Sequence, residues 1–254
     1  MLINEIYEEY FINSYPAPHT LNNGGFLLKM GGIDLMTNSV FPLYEKNDKY
    51  LAQKLNEIEN TLSSYNLPII YRMIAADEYK TLDRHLLSRN YDKIESGVVL
   101  RTMLHGLKEE LFRFANFNEN GIFIDEIRQD LISDYYYLKD YDNETANTFS
   151  NSLNVCPLHK FILTLIEENT LVGQAICVKQ DEVVIIRDIV VSKKYRGIGY
   201  SQKLLYSILT HAIKINAQIV IADVSSKNEP AIRMFASTNM FESVYETYYR
   251  KKIV

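Results

Sequence analysis

The amino-acid sequence predicts an α/β (α+β) fold of two similar domains, in each of which strands alternate with helices. Short apolar runs bounded by turn residues alternate with longer segments whose apolar residues recur at helical spacing. This order of elements occurs twice, about 149 residues apart, so that Gln53-Lys54-Leu55 corresponds to Gln202-Lys203-Leu204. Three further identities relate residues 84–90 to residues 233–239. The shared order and the matches together favour an ancient duplication.

The first half is expected to run from residue 1 to about 115, and loop residues up to Gly121 separate it from a second domain, 121–254. Gly24-Gly25 and Gly31-Gly32 are interpreted as hairpin turns, with a ligand loop as the alternative. The predicted elements are strands at 26–29, 35–41, 68–73 and 97–104, and helices at 50–65 and 82–88.

In the second half, three apolar runs separated by polar turns predict an antiparallel meander. These runs are residues 161–166, 171–178 and 183–191. A helix at about 201–215, a strand at 219–222, a helix at about 230–238 and a final strand at about 244–251 are predicted to follow. Residues 122–154 are expected to supply a strand and one or two helices, and Tyr135-Tyr136-Tyr137 there is interpreted as core, with substrate lining as the alternative.

Composition argues against some classes of partner and indicates a compartment. The net charge of −5, without a dense basic segment, argues against nucleic acid and against an anionic membrane. No apolar run reaches the roughly 18 residues of a membrane helix, and the amino terminus does not resemble a signal peptide, so the cytoplasm is the expected location. The two cysteines, Cys156 and Cys177, lie in or beside apolar runs and fit a reducing compartment; Cys177 is interpreted as a buried small hydrophobe, not a nucleophile.

The segment from Arg187 to Gln202 is the most informative part of the sequence. A β-branched strand ends, a basic loop with Gly197 and Gly199 follows, and a helix begins at once. The unpaired amides and dipole of a helix start attract anions, and glycine permits positive φ and close approach. The loop lacks the complete dinucleotide and P-loop motifs. A pyrophosphate is therefore the expected ligand, with Lys193 and Lys194 adding charge.

This stretch is similar to the signature of the GNAT superfamily of acetyltransferases, written Arg/Gln-x-x-Gly-x-Gly/Ala. Arg196 takes the first place, Gly199 the fourth, and Ser201 replaces the final small residue. Residues 228–235 and 239–241 resemble a second family motif, N-x-x-A-x-x-[LF]-Y…G-F, with Asn239 in place of glycine. The resemblance covers about residues 161–251. Together with the internal repeat, it implies two GNAT-like domains, each a mixed, splayed central sheet flanked by helices.

The resemblance also implies how acetyl-CoA, the co-substrate, would be held, without a metal. The backbone of Ile189, Val190 and Val191 would pair with the pantetheine arm, and Asn228 would lie along it near the thioester end. Phe235 would also contact the coenzyme, whose thioester lies between the strand ending at 191 and the strand starting at 219. The pyrophosphate would bind amides of Arg196, Gly197, Ile198, Gly199, Tyr200 and Ser201.

The resemblance implies direct acetyl transfer to an amine, for which Asp188 is the candidate base or anchor for the substrate ammonium. The alternative is an ion pair of Asp188 with Arg187 or a surface lysine. Phe235 departs from the family, because the usual residue there is a proton-donating tyrosine. Ser225, another tyrosine or water could replace it, or the thiolate could leave unassisted.

The corresponding stretch of the first half, residues 42–49, has no glycine and two acids, so this half is expected to be degenerate and to shape the acceptor pocket. The leading hypothesis is an acetyl-CoA-dependent N-acetyltransferase acting on a small-molecule or peptide amine, as a monomer or homodimer. A coenzyme A-binding sensor with little turnover and an enzyme using a longer acyl-CoA are the alternatives.

Overall fold

The computed structural model describes residues 3–43, 49–107 and 121–253. Its strands are β1 His19–Asn23, β2 Phe26–Met30, β3 Val40–Pro42, β4 Ile70–Ile74, β5 Tyr91–Met103, β6 Ile122–Glu126, β7 His159–Glu167, β8 Thr170–Gln180, β9 Val183–Val191, β10 Ile219–Ser225 and β11 Glu242–Lys252. Its α-helices are α1 Ile3–Ser14, α2 Leu51–Ser64, α3 Lys80–Leu87, α4 Gln129–Lys139, α5 Asn143–Val155, α6 Tyr200–Lys214 and α7 Glu229–Ser237. None of these helices, within the described ranges, is long and apolar enough to cross a membrane.

The predicted α/β class is confirmed, and the described strands form one mixed sheet. Its order is β1-β2-β3-β4-β11-β5-β10-β9-β8-β7-β6. The last strand of each half lies beside strands of the other half: β5 pairs with β10, and β11 lies between β4 and β5. Each exchanged strand covers an edge of the other half that would otherwise expose unpaired backbone groups. The two halves therefore share one continuous hydrogen-bonded sheet.

The internal repeat is visible in the positions of the helices and strands. Helix α2 begins at Leu51 and α6 at Tyr200, while α3 begins at Lys80 and α7 at Glu229, both 149 residues further along. The two parallel pairs, β3 with β4 and β9 with β10, also correspond. The matching order was predicted from the sequence, whereas the boundary at 115–121 lies almost entirely outside the described residues and stays a prediction.

The strand predicted at 35–41 is largely wrong, because only its end belongs to a strand, β3. In the loop before β3, side chains replace the ladder of backbone hydrogen bonds. Asp34 Oδ1 accepts from the amide of Thr37 at 2.9 Å, and Asn38 Oδ1 accepts from the amide of Gly31 at 2.9 Å. Gly31-Gly32 thus begins the long loop, residues 31–39, that joins the antiparallel strands β2 and β3, whereas Gly24-Gly25 forms the tight turn between β1 and β2.

The two halves meet at a buried ionic cluster of Glu8, Arg72 and Asp223. The Arg72 side chain is 1% exposed. Its Nη2 donates to Glu8 Oε1 at 2.8 Å, and its Nη1 lies 2.8 Å from Asp223 Oδ2. Tyr245 donates to Glu8, and Tyr249 accepts from Arg72. The cluster therefore links α1 and β4 of the first half to β10 and β11 of the second half.

We expect Arg72→Met to lower the free energy of unfolding by about 3–5 kcal/mol, because it leaves two carboxylates buried without their cation. Urea denaturation followed by circular dichroism would measure the change. Arg233→Met is the matched control, since its pair with Glu229 is exposed and should contribute almost nothing. Equal stability of the two variants would contradict the structural role of the Arg72 cluster.

Candidate active site

The parallel strands β9 and β10 separate after a short paired stretch. They pair from Val183 with Ile219 to Ile186 with Ala222, and the pairing ends there although both strands continue. The space between them is a cleft of about 760 Å³. That volume lies within the range of small-molecule and cofactor sites. The predicted splay between these two strands is therefore present.

A β-bulge marks the point of separation. In the pairing of β9 with β8, Ile186 lies opposite Cys177 and Asp188 lies opposite Ile176. Arg187 is thus an extra residue in β9, and an extra residue bends a strand and increases its twist. Beyond the bulge, the edge of β9 that faces away from β8 borders the cleft. An extended ligand can lie along this edge as a further strand does.

The turn between β9 and α6 has the conformation that the glycines were expected to permit. Gly197 has φ +80°, and Gly199, at the start of α6, has φ +95°. No side chain caps the start of this helix, so its first amides are available to an anion. Arg196 Nε donates to the carbonyl oxygen of Val191 at 3.0 Å, which connects the turn to the end of β9.

Helix α7 forms the other wall of the cleft. Asn228 is its N-cap, and its side chain accepts from the amide of Ala231 at 3.2 Å. Phe235 is 4% exposed and packs edge-to-face on Phe241, with ring centroids 4.8 Å apart. After the helix, Asn239 has φ +53°, the left-handed cap for which asparagine is suited.

Most of the predicted site residues border this one cleft. The exceptions are Gly199, the N-cap of α6, and Ile198, whose side chain is 66% exposed. Those on the cleft are Asp188, Ile189, Val190, Val191, Arg196, Gly197, Tyr200, Ser201, Asn228 and Phe235.

Asp188 pairs with a lysine that the sequence did not single out. Lys139 Nζ and the Tyr135 hydroxyl each donate to Asp188 Oδ2 at 2.7 Å. Burial alone would lower the pKa of Lys139, but the Asp188 carboxylate outweighs it and raises that pKa. In residues 3–43, 49–107 and 121–253, no hydrogen bond to Asp188 Oδ1 is present, which leaves this oxygen available to a ligand.

Asp223 also borders the cleft and was missed by the sequence analysis. It is the first residue of β10 after Ala222, the last residue that pairs with β9. Arg187 holds the corresponding position in β9. Burial raises the pKa of Asp223, while the neighbouring Arg72 acts in the opposite direction. Its position directly after the apolar run 219–222 could have marked it as a site residue. Its partner Arg72 could not be inferred, because it lies about 150 residues earlier in the sequence.

The first half contacts the cleft directly. The Tyr15 hydroxyl donates to the carbonyl oxygen of Arg187 at 2.8 Å. Ser225, one of the groups considered as a replacement proton donor, donates its hydroxyl hydrogen to Glu95 Oε1 of β5 at 2.9 Å. The first half was predicted to lack a phosphate loop at residues 42–49, of which residues 44–48 lie outside the described residues.

Solved structures share this fold across the chain. A GCN5-related N-acetyltransferase from Kribbella flavida aligns over 100% of this chain and 97% of its own with a TM-score of 0.72 and 11% identity. A tandem GNAT protein from the clavulanic acid biosynthesis pathway aligns over 93% and 84%, with a TM-score of 0.68 and 12% identity. A functionally unknown conserved protein from Staphylococcus epidermidis aligns over 95% and 96%, with a TM-score of 0.66 and 15% identity. At sequence identities this low, the similarity shows a shared fold and nothing more.

Sequence comparison identifies the family of the second half. No match was found among curated proteins. The model of the acetyltransferase (GNAT) family matches residues 124–239, which include the diverging strands, the glycine turn and α7. This part of the chain therefore belongs to the acetyltransferase (GNAT) family and is an acyltransferase domain.

Proposed function

We propose that the protein is an N-acetyltransferase that transfers the acetyl group of acetyl-CoA to a primary amine of a small molecule or peptide. The observation that carries the proposal is the uncapped start of α6, which borders the cleft and follows a turn with Gly197 and Gly199 at positive φ. Its amides are suited to the pyrophosphate, and the open edge of β9 at residues 189–191 is suited to the pantetheine arm.

In the proposed reaction, the lone pair of a neutral amine forms a C–N bond with the thioester carbonyl carbon. The C–S bond breaks, its electron pair stays on sulfur, and coenzyme A leaves as a thiolate. The amine must lose a proton, for which Asp188 Oδ1 is the candidate acceptor, either directly or through water. Lys139 and Tyr135 hold the other oxygen of Asp188 and so fix the orientation of its carboxylate.

Departure of the thiolate does not require a proton-donating tyrosine at position 235. A thiol with a pKa of about 8.5 leaves tolerably as thiolate near neutral pH. Ser225 stands at the end of β10 on the cleft, but its hydroxyl hydrogen is donated to Glu95, so it can serve the thiolate only if it leaves that acceptor. In this proposal the first half contributes structure to the acceptor side of the cleft, through Tyr15 and β5, and holds no coenzyme of its own.

A second candidate function is a coenzyme A-binding sensor with little turnover. It is favoured by Phe235, which fills the usual tyrosine position, is buried against Phe241 and has no proton to donate. An enzyme that uses a longer acyl-CoA is a further variant of the leading proposal.

Free thiol measured during incubation of the full-length protein with acetyl-CoA and a panel of primary amines would distinguish these functions. We expect amine-dependent thiol release, with the acetamide detected by mass spectrometry. Tight acetyl-CoA binding without thiol release across the panel would favour the sensor. Faster release from longer acyl-CoA donors would overturn the assignment of acetyl as the transferred group.

A further inference from the structure

Arg187 is a half-buried cation without a polar partner. Among the arginines that the structure describes, it alone has a side chain that makes neither a hydrogen bond nor an ion pair. Its Nε and Nη1 atoms are shut off from solvent. Leaving charged donors desolvated and unpaired costs free energy, so such a group normally has a partner in the functional state.

The guanidinium of Arg187 is held in place by aromatic rings. It lies over the Tyr15 ring at 4.3 Å and over the Phe149 ring at 5.3 Å, measured to the centroids. The Tyr15 hydroxyl also donates to the Arg187 backbone carbonyl. Stacking of this kind suits the planar arginine side chain and fixes the plane in which its N–H groups can receive an anion.

The carboxylates nearest to Arg187 along the two diverging strands have other partners. Asp188 is paired with Lys139 and Tyr135, and Asp223 is paired with Arg72. Both pairings are at hydrogen-bond distance, so neither carboxylate needs Arg187 for its own charge balance. The anion that matches Arg187 is therefore expected to come from a bound molecule.

The anion expected at Arg187 is distinct from the pyrophosphate, because Arg187 lies away from the glycine turn. Arg187 is the first residue of β9 beyond the last pair with β10 and borders the cleft. Val191, next to the glycine turn, is four residues further along an extended strand, a distance of about 13 Å. Arg187 thus stands where the strands begin to separate, directly beside Asp188, the candidate proton acceptor.

We propose that the acceptor carries a carboxylate as well as its amine, as an amino acid does, and that Arg187 binds this carboxylate. The proposal rests on the proposed N-acetyl transfer and assigns the substrate class of the same cleft. Arginine binds a carboxylate through N–H···O bonds. A ligand in the cleft can reach Nη2, because only Nε and Nη1 of the Arg187 guanidinium are shut off from solvent. The Arg187 guanidinium lies over Phe149, and Phe149 stacks on Tyr135, which donates to Asp188. The Arg187 and Asp188 side chains therefore lie on the same side of β9, where both groups of one small molecule can be held.

The test compares acceptors that differ only in the carboxylate. The full-length protein, with and without coenzyme A, is titrated calorimetrically with the standard amino acids and with the amines that remain when each loses its α-carboxyl group. We expect at least one amino acid to bind, and its matched amine to bind at least ten-fold more weakly. Equal binding of every matched pair, or no binding of any amino acid, would overturn the proposal.

Substitution of Arg187 gives the second arm. Arg187→Gln should weaken binding of that amino acid at least ten-fold and leave its matched amine and acetyl-CoA unaffected, while Arg187→Lys should retain part of the preference. Arg84→Gln, an exposed arginine of α3, is the matched control. If Arg187→Gln and Arg187→Lys each weakened binding of the amino acid and of its matched amine equally, that result would contradict a carboxylate site. Because these titrations require no turnover, binding without thiol release would refute only the proposed acetyl transfer.

Discussion

Asp188→Asn is expected to lower kcat about 100-fold while the dissociation constant of acetyl-CoA stays within two-fold. Asparagine keeps the shape of the side chain but cannot accept the amine proton, and general-base catalysis contributes roughly 10²–10⁴-fold. Coenzyme affinity should be preserved because the glycine turn lies at the other end of the β9 edge. Steady-state thiol release and calorimetric titration of acetyl-CoA would measure the two quantities separately.

Asp181→Asn provides the matched control for this substitution. Asp181 lies in the turn between β8 and β9 at φ +51°, a conformation that asparagine adopts readily, and its contact with Tyr10 is exposed. The control should retain the full rate. An unchanged kcat in Asp188→Asn would remove Asp188 from the mechanism and leave its pair with Lys139 as a structural contact.

Gly199→Glu is expected to weaken acetyl-CoA binding by about 100-fold or more, equivalent to about 2.7 kcal/mol. Gly199 has φ +95°, which a side chain tolerates poorly, although an added Cβ would meet no atom within 4 Å. The glutamate also places a negative charge at the helix start that is proposed to receive the pyrophosphate. Calorimetric titration of the variant with acetyl-CoA would measure the loss.

Gly106→Glu separates the effect of backbone strain from that of the lost anion site. Gly106 has φ +93° and equally open surroundings, but it lies in the loop after β5 and not on the cleft. This variant should lose a comparable amount of stability and bind acetyl-CoA normally. Equal affinities of the two glutamate variants would show that the turn at Gly199 does not hold the coenzyme.

Local features of the fold were predictable because neighbouring residues determine them. The spacing of Leu204, Ile208 and Ala212 predicted α6, and all three are buried. The glycines predicted the positive φ of the turn, since few other residues adopt it. The divergence of β9 from β10 was predicted from the resemblance of this segment to a known family. The structure confirms it, because the pairing of the two strands ends at Ile186 and Ala222.

Features that depend on distant residues were not predictable from local patterns. The exchange of β5 and β11 between the halves requires pairing across most of the chain, and apolar periodicity does not encode a strand's neighbours. The partners of Asp188 come from α4, about 50 residues earlier, so the sequence could suggest a surface lysine without identifying Lys139. Arg187 stood out only as the neighbour of Asp188, because its missing partner is visible only in three dimensions.

A crystal structure of the protein with acetyl-CoA bound tests the proposed site most directly. We predict the pyrophosphate oxygens within hydrogen-bond distance of backbone amides between Arg196 and Ser201, with the pantetheine arm beside residues 189–191 and the thioester between β9 and β10. Coenzyme bound elsewhere, or a glycine turn without a phosphate contact at saturating acetyl-CoA, would contradict the assignment of this cleft.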